Sequence, residues 1–103
     1  RPELANLVQL HDAGFRALFA ASPIKRIGLA RFLRNVLIAI GNSDDASLIP
    51  LVEARLDAEE TIVRGAAVWA LRRLAPERAG ELSLAYLARE GDSSVAAEWT
   101  GDI

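Results

Sequence analysis

Four cations stand close together in this chain. Lys25, Arg26, Arg31 and Arg34 all fall within SPIKRIGLARFLRN, residues 22–35, which holds no acidic residue. Cations spaced in this way bind anions, and the planar guanidinium fork suits a phosphate or carboxylate best. The punctuation around them supports that chemistry. Ser22-Pro23 closes off whatever precedes it, and Gly28 lets a ligand approach the backbone. The expected arrangement is a loop that carries Lys25 and Arg26 to the start of a helix beginning near Ile27. The first turn of such a helix offers unpaired N–H groups and a partial positive charge. Residues 27–30 supply no acid to fill that site, so it is left to an anion from elsewhere.

Other chemistries find little to work with. The 103 residues contain no Cys, no Met and one His, which rules out disulfides and thiolate metal sites within them. His11 has no partner and reads as a polar helix start. Ser22, Ser43 and Ser47 fall at turn or cap positions, with no His-Asp arrangement to activate a nucleophile. Asp44-Asp45 reads as a helix N-cap and not as an acid/base dyad. Nothing in these residues assembles an enzyme by itself, and no cofactor is expected to bind them.

The overall composition, 51% hydrophobic and 25% charged, is that of one globular domain. The longest apolar run, VLIAI, is far too short to span a bilayer, and no signal-peptide pattern is present. A cytoplasmic monomer without membrane contact is the expectation. The chain begins at Arg1, so it reads as a piece of a longer protein. Its net charge of −2 hides a polarity. Residues 1–34 carry six basic and two acidic side chains; residues 35–103 carry six basic and twelve acidic. An anionic partner is therefore drawn to the first third.

These cations must be held by helices, since apolar residues recur at helical spacing and nowhere in sustained alternation. Helices are expected near 2–9, 12–20, 27–40, 46–57, 59–74 and 76–89, with a last one starting at Asp92. Gly41-Asn42 and Gly91-Asp92 mark breaks. Three of the helices share a pattern. Leu33-Arg34-x-x-Leu37-x-x-Ile40 matches Val63-Arg64-x-x-Ala67-x-x-Ala70 thirty residues on, and Val95-Ala96-x-x-Trp99 starts again thirty-two later. The pattern resembles compact HEAT-like repeats in an all-α, right-handed α-α superhelix of six to seven short helices. Residues 27–58 form one repeat and 59–91 a second, with 92–103 a truncated third. Residues 1–26 supply capping helices and the basic loop.

Helical geometry sorts the faces. Leu33, Val36, Leu37 and Ile40 share an inner face, as do Val63, Ala66, Ala67, Ala70 and Leu74. Arg31, Arg34, Asn35, Ile38 and Asn42 face the other way. Arg64, Gly65, Val68 and Arg72 occupy the equivalent positions one repeat later. Side by side, the helices would line Arg31, Arg34, Arg64 and Arg72 into one stripe. Arg64 has a second reading, as the partner of an acid such as Asp57, Glu59 or Glu60. Trp69 and Trp99 fit the core better than a stacking platform.

The words themselves carry more than the period. SPIKRIG, RFLRNVLIAIGNS and VRGAAVWAL together resemble the C-terminal region of the epoxyqueuosine reductase family, with likeness running from about Phe15 to Leu74. RPEL at the start and Glu98-Trp99 also fit. Leu29 departs from the pattern, which usually has a polar residue there. The resemblance implies a HEAT-like tail that holds the tRNA anticodon stem–loop. The parent enzyme would reduce epoxyqueuosine in tRNA with cobalamin and two 4Fe–4S clusters bound upstream. On that reading Lys25, Arg26, Arg31 and Arg34 contact phosphates, Asn35 and Asn42 add hydrogen bonds, and Arg64 and Arg72 extend the surface. A different reading makes the stack a protein–protein scaffold, with SPIKR docking on the cluster domain of the same chain and no RNA role.

Overall fold

The computed structural model describes residues 23–101, with side chains from residue 27 onward. The helices expected at 2–9 and 12–20, and with them the capping role of residues 1–22, lie outside the described residues. Five α-helices and one 3-10 turn make up the rest: α1 Pro23–Gly41, a 3-10 turn Ala46–Leu48, α2 Ile49–Glu53, α3 Thr61–Leu74, α4 Pro76–Arg89 and α5 Ser93–Thr100. No strand occurs among the described residues.

Two boundaries differ from the expected ones. α1 starts at Pro23, four residues before Ile27, so Lys25 and Arg26 belong to the helix and not to a loop before it. Proline explains the shift. The residue that terminates one helix is also favoured in the first turn of the next, where its missing N–H costs nothing. The single helix expected over 46–57 is instead a capped 3-10 turn and five α residues. Asp45 accepts from the Ser47 N–H at 3.0 Å and opens the turn, and Pro50 sits in the first turn of α2. Beyond Glu53 the backbone tightens to i→i−3 bonds, Arg55 to Val52 and Leu56 to Glu53. At the other end of the chain the expected break holds: Asp92 caps α5 by accepting from Val95 N–H at 3.1 Å.

α3 is the hub, packing against α1, α2, α4 and α5. Its buried residues are mostly small, Val63, Ala66, Ala67, Val68, Ala70 and Leu71, so its neighbours come close on several sides. Leu33, Val36, Leu37 and Ile40 of α1 meet it, as their spacing predicts, with Leu37 and Ile40 fully enclosed. Each such large aliphatic contributes about 1.5–3 kcal/mol relative to exposure. Val68 departs from expectation. It was placed on the outer stripe beside Ile38, but α3 is covered on both flanks, and Val68 is buried.

The helices α1, α3 and α5 run in the same direction, since their C-terminal ends meet. Arg73 near the end of α3 donates to the Gly41 carbonyl at 3.2 Å, and Arg72 donates to the Glu98 carbonyl at 3.0 Å. Each arginine thus satisfies an end carbonyl that its own helix leaves unpaired. α2 and α4 lie behind, joined by Arg78 to Glu53 at 2.9 Å, and Arg89 of α4 reaches Asp57 in the turn after α2 at 3.1 Å. Both of these pairs are largely exposed and hold position more than they stabilise. Trp99 is buried and stacks on Tyr86 with centroids 5.3 Å apart, which ties α5 to α4.

Gly65 sits mid-helix on α3, and a Cβ there would meet only Val95 and Glu98 side chains, at 3.9 and 4.0 Å. That is ordinary contact. Gly65→Ala should therefore raise stability by about 0.5–1 kcal/mol, the helix propensity difference. Thermal unfolding followed by circular dichroism checks it.

Candidate functional site

The described arginines divide into those with partners inside the fold and those without. Arg64 is fully engaged. Its Nε and Nη2 reach the two Glu90 carboxylate oxygens at 3.0 and 2.8 Å, and Nη1 donates to the Ala58 and Glu59 carbonyls at 3.0 Å each. The pairing expected with a neighbouring acid exists, but the acid is Glu90, at the end of α4, and not Asp57, Glu59 or Glu60. The Glu90 hydrogen bonds raise the Arg64 pKa, and the same bonds hold the Glu90 carboxyl below its ordinary value against the opposing effect of burial. Glu90 also accepts from Asp92 N–H at 3.0 Å, so one carboxylate secures both α3 and the entry to α5. Arg72 and Arg73 serve helix ends, and Arg73 lies 5.1 Å over the Trp69 ring. Arg78 and Arg89 have the acids named above, and Arg55 has a partner too. Arg64 and Arg72 therefore leave the expected stripe, because both guanidinium groups turn sideways to neighbouring elements.

Arg31 and Arg34 remain. Both are exposed on α1, one turn apart, and neither has a carboxylate partner among the described residues. Arg34 Nη1 contacts only its neighbour, the Asn35 side-chain oxygen, at 3.1 Å. Asn35 and Asn42 are exposed as well, Asn42 just past the end of α1. The first turn of α1 contains no acidic residue. The backbone of Lys25 and Arg26 extends this helix toward its N-terminus, and their side chains lie outside the described residues. Leu29 is half-buried against the core and contributes packing.

Beside Arg34 the surface dips into a groove between α1 and α5, floored by α3. One depression of about 260 Å³ is lined by Arg34, Ile38, Gly65, Ala66, Trp69 and Glu98. A second, about 220 Å³, shares Arg34, Gly65 and Glu98 and continues toward the starts of α3 and α5. Trp69 is half-buried: its ring edge packs on Gly41 of α1 and the rest borders the groove, so it is only partly the core residue expected. Burial raises the Glu98 carboxyl pKa, an effect that Arg72 partly offsets. Glu98 entered the sequence reading only as part of the family likeness, with no role in the site. Its signal was its position one helical turn beyond the buried Val95, which puts it at the margin of the packed face.

No group of three or more His, Asp or Glu able to hold a metal exists among the described residues. A 4Fe–4S cluster needs cysteine thiolates, and the chain has none, so its own residues do not fit one. None of the described helices is long and apolar enough to cross a membrane.

Comparison with known proteins places the chain. It is 38% identical over 74 residues to an epoxyqueuosine reductase of Pseudomonas aeruginosa, covering 69% of this chain and 20% of that protein. It is 37% identical over 86 residues to the enzyme of that name from Shewanella oneidensis, covering 80% of this chain and 21% of that protein. A match to the Listeria monocytogenes epoxyqueuosine reductase, 29% identical, takes in 97% of this chain and 27% of the relative. No family model matches, and no solved structure matches at the significance these relatives reach. By sequence the chain belongs with the epoxyqueuosine reductases, of whose length it spans between about a fifth and a quarter.

Proposed function

We propose that the chain is the C-terminal, HEAT-like part of an epoxyqueuosine reductase and that α1 holds the backbone of a tRNA anticodon stem–loop. Residues 27–58 and 59–91 act as two repeats and 92–103 as the start of a third, with the parallel α1, α3 and α5 as the stacked first helices. The observation that carries the RNA reading is the sorting of the arginines. Those of α3 and α4 are bonded within the fold, while Arg31 and Arg34 stand exposed on α1 with no carboxylate partner among the described residues. A fold that engages its other described arginines in internal hydrogen bonds or ion pairs and leaves two on one face presents that face to an external anion. Repeated phosphates suit two cations set one helical turn apart. Lys25 and Arg26 belong to the first turn of the same helix, and Asn35 and Asn42 add neutral donors.

The reduction itself, with cobalamin and two 4Fe–4S clusters, belongs to the remainder of such a protein, which works in the cytoplasm as a monomer. On the second reading a cluster domain of the same protein is the partner of this surface. Binding of an RNA hairpin to the full chain, read by fluorescence anisotropy, separates the two roles. Arg31→Ala with Arg34→Ala should weaken RNA binding about tenfold at low salt. Unchanged RNA affinity, with loss of contact to the cluster domain, would make α1 a protein-docking face.

A further inference from the structure

The groove between α1 and α5 holds an arginine and a glutamate on opposite walls that do not meet. Arg34 and Glu98 line both of its depressions, yet they form no ion pair, and the Glu98 carboxylate has no hydrogen-bond partner among the described residues. An acceptor on one wall and a donor on the other are thus both open, with room between them. The floor between is apolar. Ile38, Ala66 and the Trp69 ring border it, and Gly65 contributes no side chain at all. An occupant that satisfies all three surfaces is planar, donates N–H to a carboxylate and carries an anion toward α1. Arg31 lies outside the groove on the same helix, so the anion continues along α1, as a nucleic-acid strand does and a small metabolite does not.

We propose that this groove receives one unstacked, amino-bearing nucleobase of the bound RNA, which lies on the Gly65–Trp69 floor, donates its exocyclic amine to Glu98 and rests its phosphate on Arg34. This rests on the RNA reading above and adds base selectivity to it. Phosphate contacts orient a strand without reading it; base edges supply the reading. A carboxylate accepts from the cytosine amino group, whereas uracil presents a carbonyl acceptor at the same position and is repelled. Splayed single-stranded bases are the form in which RNA offers such edges.

The test compares labelled single-stranded oligocytidylate and oligouridylate binding to the full chain by anisotropy at one salt concentration. Oligocytidylate should bind about tenfold more tightly. Glu98→Gln should bring the two within about twofold, and Gly65→Leu, which fills the floor, should abolish the preference while α-helical content is retained. Glu98 is at the groove margin, so its variant keeps the test decisive even where Gly65→Leu fails to fold. Equal affinities in the unaltered chain, or a preference that survives Glu98→Gln, would overturn the proposal. If both oligomers bind equally but depend on Arg31 and Arg34, the base-reading groove falls and the RNA reading stands. If neither binds at low salt, both fall.

Discussion

Arg64→Met should lower the folding free energy of the chain by about 3 kcal/mol, measured by urea unfolding. The size follows from what is left behind. The Glu90 side chain is 8% exposed and the Arg64 side chain 20%, so removal strands a nearly enclosed carboxylate. Two carbonyls of the segment before α3, those of Ala58 and Glu59, lose their donor as well. Removing both charges, Arg64→Met with Glu90→Gln, should recover at least about half of the loss, since an absent pair costs less than a broken one. The pair also sets a pH dependence. Glu90 has its pKa lowered from 4.5 in the fold, so the unfolded chain takes up the proton first as the solution is acidified. The contribution of Glu90 is fully present above about pH 4.5 and is lost as pH falls through its depressed folded value. The acid limb of the stability curve should flatten in Arg64→Met. A slope unchanged by the substitution would show that other carboxylates set it.

Gly41→Ala should also destabilise, by about 1–3 kcal/mol, although helix propensity alone favours alanine. A Cβ at Gly41 would lie 2.6 Å from Trp69 Cζ3 and 3.1 Å from the Ala70 Cα. The first contact could ease by moving a ring. The second is with the backbone of α3, the helix on which four others pack, and it cannot shift without disturbing them all. The same substitution thus changes sign between two glycines of one domain: unfavourable at Gly41, favourable at Gly65. Paired thermal melts of the two variants read the contrast directly. A stabilised Gly41→Ala would mean that α1 and α3 are not in close contact at that point.

Gly41 also shows how far the sequence could be read. The Gly-Asn pair correctly marked the end of α1, but for the wrong reason. Gly41 remains helical, and the left-handed turn falls at Asp44, with φ of 58°. Local chemistry locates a break; only the neighbour across the interface shows that the missing side chain makes space for Trp69. Spacing was sufficient for the inner faces, because Leu33, Val36, Leu37 and Ile40 obey one helix whatever surrounds it. It failed for Val68, whose burial depends on how many neighbours α3 has. The arginines divide along the same line. That Arg31 and Arg34 share an outer face of α1 is a property of one helix, and was legible. That Arg64 turns to Glu90 and Arg72 to the end of α5 depends on partners twenty-six residues away, which no periodicity specifies. Glu98 came into view only when α5 was set against α1.

α1 as an anion-binding face for RNA is the central claim. The most direct measurement is the salt dependence of binding between the full chain and an anticodon stem–loop, for the unaltered chain and for Arg31→Ala with Arg34→Ala. Each cation on a phosphate adds close to one unit to the slope of log K against log salt, through counterion release. The double variant should therefore show a slope shallower by about two, with RNA affinity reduced at low salt and the two curves converging as salt rises. Parallel curves of equal slope would contradict the account, because Arg31 and Arg34 would then release no counterions and touch no phosphate.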